Sequence, residues 1–208
     1  MLLFFKTVFA VVTCLAAASC ADQSGGLGLG RPNAIIVREF ALNQAAVTLD
    51  PSFGFSLYRG TPGVPPRQRA ASVGRAAAFN VSDAIVEQLR QAGYDAIRSD
   101  GTSAEPGGRA LIVTGAFRHI DEGRRRRVGA ENPSVAAAGE IDYRTAAGTA
   151  PQRLTSFSLD SRQSRERVIT ASASRGSDLN AAAVRLGHEI AQTVLDVARR
   201  QNWPGASR

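Results

Sequence analysis

Apolar positions along the chain change period several times, and each change marks an element. Ala34 to Ala41, AIIVREFA, is a short β-branched run in which Ile35, Val37 and Phe40 face inward, predicting a strand. Between Val47 and Gln68 the periodicity breaks down. Pro51, Gly54, Gly60, Pro62, Gly63, Pro65 and Pro66 punctuate a long connection, and its Phe53, Phe55, Leu57 and Tyr58 imply that part of it packs down. From Arg69 to Ala92 the spacing turns helical. Ala78, Ser82, Ile85, Leu89 and Ala92 form one stripe, with Gly93 as C-cap. Tyr94 to Arg98 predicts a second short strand, and Asp100 to Arg109 a polar, turn-rich loop.

The second half is more regular. Ala110 to Ile120, Ser134 to Thr145 and Arg153 to Ser161 are three successive strands joined by turns, an antiparallel meander. In the middle one Glu140, Asp142 and Arg144 share one face, while Ile141 and Tyr143 share the other. Arg167 to Thr170 offers one more edge strand. Ser177 or Asp178 then caps a helix with the stripe Leu179, Ala183, Leu186, Ile190, Val194 and Val197. Arg199 and Arg200 complement its C-terminal dipole, and Trp203-Pro204-Gly205 ends it. The expected fold is α+β: a mostly antiparallel sheet of about five strands with two helices packed on one face.

The N-terminus follows a different rule. MLLFFKTVFAVVTCLAAASC places Lys6 before an apolar run, Thr7 to Leu15, and then small residues up to Cys20. That is the layout of a bacterial secretory signal, and the apolar run falls short of the roughly 20 residues a membrane span needs. Ala17-Ala18-Ser19-Cys20 resembles a lipobox, the signal of bacterial lipoproteins, which implies a lipid on Cys20 and removal of residues 1–19. By the same analogy, Ala21 fits transfer to the outer membrane, facing the periplasm. Residues 20–32, with SGGLGLG inside them, suit a flexible tether, 33–204 a single domain and 205–208 a tail.

Cysteine and charge narrow the function classes. Cys14 leaves with the signal and Cys20 is capped, so the mature domain offers no disulfide, zinc-thiolate site or cysteine nucleophile. The formal charge is +7, and past Lys6 every cation is arginine. Export discounts nucleic acid as a partner despite that charge.

Catalytic patterns are sparse. His119 and His188 are the only histidines and have no metal-ligand spacing. Asp121 and Glu122 are adjacent, so they leave a strand in opposite directions and make poor paired carboxylates. No serine sits in a Gly-x-Ser-x-Gly elbow, and the glycine-rich GGLGLG precedes a strand where a dinucleotide loop would follow one. No enzyme, metal or cofactor is therefore expected. The candidate contact is Arg124, Arg125, Arg126 and Arg127, on the bend between two strong strands. Four arginines there cannot all be buried. They suit either a solvated edge that discourages sheet-to-sheet pairing or a contact to an anionic lipid or envelope partner, with Glu140 and Asp142 as possible cross-sheet partners.

Five patches resemble the bacterial lipoprotein family known as domain of unknown function 4410. They are Ile36 to Ala41, Val47 to Asp50, Leu89 to Tyr94, Gly115 to Ser134 and Trp203. The resemblance implies envelope location and lipid anchoring, and brings no assigned chemistry. The expectation is a membrane-anchored periplasmic lipoprotein acting as a non-enzymatic interaction or assembly module. A binding protein for an anionic lipid or glycan and an enzyme without a recognisable motif are the alternatives.

Overall fold

The computed structural model describes residues 28–50, 64–102, 104–124, 132–163 and 179–204. Along the chain come β1 (Ala34–Arg38), a short 3-10 turn (Gln44–Ala46), β2 (Val47–Thr48), α1 (Pro66–Gln91), β3 (Ala96–Ser99), β4 (Ala110–Asp121), β5 (Ser134–Arg144), β6 (Gln152–Asp160) and α2 (Leu179–Arg200). The described residues form an α+β fold with two helices and a mixed, mostly antiparallel sheet of six strands. The order is β3-β1-β4-β5-β6, with β2 beside β4.

The β4-β5-β6 meander is antiparallel and carries the longest ladders, as the alternating patterns predict. The expected mostly antiparallel sheet holds in outline, and the remaining pairings are parallel. β1 is parallel to both β3 and β4, and β2 is a sixth strand, parallel to the far end of β4. The physical reason lies in the burial. Ile35, Ile36 and Val37 are all at most 1 % exposed, so β1 is covered on both faces, the condition under which parallel strands occur. β1, α1 and β3 form a βαβ unit, since parallel neighbours need a crossover connection. α1 also begins at Pro66, three residues before the predicted start, because proline is well tolerated in the first turn.

A second crossover has no helix. β3 and β4 are parallel with β1 between them, so the loop from Asp100 to Arg109 crosses β1 on the face away from the helices. Beneath it lies a small separate core of Ile36, Ala110 and Ile112, with Ile97 alongside.

The main core lies on the helix side. α1 packs along β1 to β3, α2 along β5 and β6, and the helices pack on each other. They approach closely at Gly187, where an added Cβ would stand 2.7 Å from both the Ala84 Cβ and the Val81 carbonyl oxygen. Of the α1 stripe, Ala78, Ser82, Ile85 and Leu89 are buried, and Gly93 takes a φ of +83° as the cap requires. Under the helices Phe40, Phe117 and Phe157 form a tilted ring cluster with centroids 5.8 and 6.3 Å from Phe40. The proposed caps Ser177 and Asp178 and the edge strand at Arg167 to Thr170 lie outside the described residues.

Candidate functional site

Cys20 and Arg125 to Arg127 also lie outside the described residues. Described residues begin at Gly28, and the chain is bound to the domain almost at once. The Trp203 indole Nε1 donates to the Leu29 carbonyl at 2.6 Å, and the Tyr143 hydroxyl donates to the Gly30 carbonyl at 2.7 Å. Arg31 donates to the Gly93 carbonyl at 3.0 Å and lies over the Tyr94 ring, 5.1 Å from its centroid. From Leu29 onward the expected tether is therefore part of the packed domain. Burial raises the pKa of both tyrosines above the ordinary phenol value, with Arg31 partly offsetting it for Tyr94 and Arg109 for Tyr143. Both hydroxyls stay protonated as donors at neutral pH.

At the other end of β4 the chain turns toward the arginine run. Arg124 is exposed. The carboxylates just before it are engaged separately. Glu122 accepts from the Asp50 backbone N–H at 2.9 Å and pairs with Arg69 at 2.5 Å, while Asp121 accepts from the Gly123 N–H at 2.8 Å and from Arg162 at 3.3 Å. The register places Asp121 opposite Ser134, well along β5 from Glu140 and Asp142. Glu140 pairs instead with Arg153, and one Asp142 oxygen is buried without a partner. That register puts the end of β4, which Arg124 follows, at the Ser134 end of β5.

His119 follows a bulge in β4 and lies 3.2 Å from the Ser134 hydroxyl and 3.8 Å from Asp160. His188 stands on α2 beside a recess of about 760 Å³ that Leu159 and Glu189 also line. Among the described residues no group of three His, Cys, Asp or Glu could hold a metal ion, and no helix is long and apolar enough to cross a membrane.

Two arrangements were not read from the sequence. The first is an ionic clasp. Glu105, in the helix-free crossover, accepts from Arg38 on β1 and from Arg144 on β5, each at 2.9 Å, while Arg144 also donates to the Pro106 carbonyl. The hydrogen bond from Arg38 is the largest cause holding the Glu105 carboxyl below the ordinary range. Burial opposes it, and Arg144 reinforces it.

The second is a cleft of about 200 Å³ where β1 and β3 end together beneath α1. Glu39 follows β1, Ser99 and Asp100 close β3, and Arg75, Phe79 and Ser82 descend from α1. Phe79 is 51 % exposed, an unusual state for a large apolar side chain, and the Arg98 guanidinium lies 4.3 Å from its ring centroid. Ser82 is fully buried, and its hydroxyl has no hydrogen-bond partner. A serine within a helix commonly bonds back to its own backbone, so an unpartnered one on a cleft wall is notable. The sequence did hold a signal: Ser82 is the one polar member of an otherwise apolar stripe.

No protein-family model matches this chain, and no curated protein sequence matches it. Several solved structures are similar at low sequence identity and with TM-scores below 0.5. A Xanthomonas campestris protein of the domain-of-unknown-function 330 family is 10 % identical over 85 % of this chain and 90 % of its own, with a TM-score of 0.49. The PelC dodecamer of Paraburkholderia phytofirmans is 14 % identical over 85 % and 92 %, at 0.35. A putative neuraminyllactose-binding hemagglutinin homolog from Helicobacter pylori is 10 % identical over 86 % and 96 %, at 0.36.

Proposed function

We propose that this chain is a lipoprotein of the bacterial envelope, anchored through Cys20 and resembling the domain of unknown function 4410 family, whose domain serves as a non-enzymatic interaction module. The observation that carries this reading is the N-terminal clamp. Leu29, Gly30 and Arg31 are bound at one end of the domain, so a tether upstream holds the domain at a defined point. The lipobox-like Ala17 to Cys20 supplies the attachment chemistry, and several acyl chains anchor far more firmly than one.

Fractionation of cells tests it. Wild-type protein is expected in the membrane fraction with radiolabelled palmitate on it, and Cys20→Ser in the soluble periplasmic fraction or uncleaved. A processed, unlabelled mutant that stays with membranes would show the anchor reading to be wrong.

The arginine run is the proposed partner contact. Replacing Arg124, Arg125, Arg126 and Arg127 by glutamine should weaken binding to vesicles of anionic phospholipid in a salt-sensitive way, since each cation near such a surface contributes about 1 kcal/mol. Unchanged binding would leave the run to solubility alone. A second reading, a small-ligand binding protein, is favoured by the cleft at Phe79.

A further inference from the structure

The cleft where β1 and β3 end has the makings of a ligand site, and we infer that it takes a small zwitterion of the α-amino-acid type. This rests on the binding-protein reading and is independent of the anchor. Its position comes first: in parallel sheets, ligands bind in the crevice beyond the carboxyl ends of the strands. β1 and β3 are a parallel pair whose carboxyl ends both open here.

The chemistry of the rim selects the ligand class. Two guanidiniums, Arg75 and Arg98, stand with two carboxylates, Glu39 and Asp100. A simple anion would meet both carboxylates, and a simple cation both guanidiniums. A molecule carrying both charges satisfies the two kinds at once. Guanidinium binds carboxylate through two parallel hydrogen bonds, the strongest arrangement available to an exposed pair. Among the described residues Arg75, Arg98 and Glu39 form no ion pair with one another or with any other residue, and the Arg98 guanidinium lies over the Phe79 ring.

The wall and floor complete the fit. Phe79 presents an apolar surface to a ligand side chain, with Arg98 held over its ring. Ser82 offers a buried hydroxyl that can donate and accept, and that gains its missing hydrogen bond when a ligand arrives. At about 200 Å³ the cleft is smaller than the roughly 300–1,000 Å³ of drug-sized sites, which suits one residue and excludes a chain.

Ser82→Ala separates this role from a structural one by the sign of two effects. Without ligand the variant should melt at the same temperature as the parent or higher, because an unpartnered buried hydroxyl is removed. Its affinity should nevertheless fall several-fold. The experiment is calorimetric titration of the full chain, purified in detergent, with glycine, alanine and phenylalanine, and with acetate, methylamine, inorganic phosphate and methyl glucoside as comparison probes. At least one amino acid is expected to bind, more tightly than acetate or methylamine. Arg75→Gln and Glu39→Gln should each weaken it by about tenfold or more, the usual effect of losing one charged hydrogen bond. Arg153→Gln, on the other sheet face, should change nothing. No heat from any amino acid overturns the inference. So does binding of phosphate or methyl glucoside alone, or amino-acid binding that survives both Arg75→Gln and Glu39→Gln. None of these outcomes bears on the Cys20 anchor, which fractionation reads separately.

Discussion

Gly139→Ala is expected to cost about 3 kcal/mol, the upper end of ordinary overpacking, and Gly139→Val to prevent folding altogether. Gly139 on β5 is paired with Gly115 on β4, at the centre of the sheet. A Cβ at position 139 would collide with the Thr114 carbonyl oxygen and stand 2.6 Å from the Phe157 ring and 2.8 Å from the Gly115 Cα. One at position 115 would meet the Phe40 ring at 2.5 Å. The missing side chains are the space into which these two rings lie down. Two of the three groups facing Gly139 are backbone, which cannot rotate away. Gly107→Ala is the matched control: nothing lies within 4 Å of its Cβ position, and its stability should hold or rise slightly. Urea melts of the three variants decide the point. A Gly139→Ala protein that unfolds with the parent midpoint would refute this packing.

Glu105→Gln is expected to cost about 2–3 kcal/mol at neutral pH, somewhat less than the loss typical of a fully buried pair broken on one side. Arg144 dominates the effect, because its side chain is 11 % exposed and keeps only the Pro106 carbonyl. Arg38 is 43 % exposed and water largely compensates it. The pH dependence has a definite sign. Glu105 has a folded pKa below its unfolded value of 4.5, so its contribution is present in full above that value. It is lost as pH falls through the folded pKa. The parent should therefore lose, between about pH 5 and the folded pKa, a share of stability that Glu105→Gln never had. Parallel pH profiles for the two proteins would contradict the clasp.

Much of this fold can be read from side-chain period, and the misreadings have physical causes. The alternation in Glu140 to Arg144 and the stripe Leu186, Ile190, Val194 and Val197 each match one buried face, and β5 and α2 are found near their predicted ends. β1 and the start of β4 read differently. AIIV and ALIV are continuous apolar runs without alternation, the pattern of strands covered on both sides, and they pair parallel. β2 does not show in the pattern, because two residues at the head of a proline-rich connection carry no period. The cleft and the clasp were hidden for another reason. Glu39, Arg75, Arg98 and Glu105 are ordinary surface charges in one dimension, and only the parallel register brings the ends of β1 and β3 together under α1.

The clamp at Leu29 and Gly30 gives the domain a near pole and a far pole. Arg109, at the start of β4, accepts a hydrogen bond from the Asn33 backbone, beside the clamp, and Arg124 lies just past the other end of that strand. At 3.3 Å per residue, β4 alone separates the two poles by about 36 Å. Cys20 stands nine positions before Leu29, a reach of at most about 32 Å at full extension. An anchor at Cys20 therefore keeps the near pole within that distance of the bilayer, whatever path the tether takes. In the proposed lipoprotein the far pole swings on an arm longer than its own leash, so Arg124 there reaches roughly twice as far from the bilayer as the near pole.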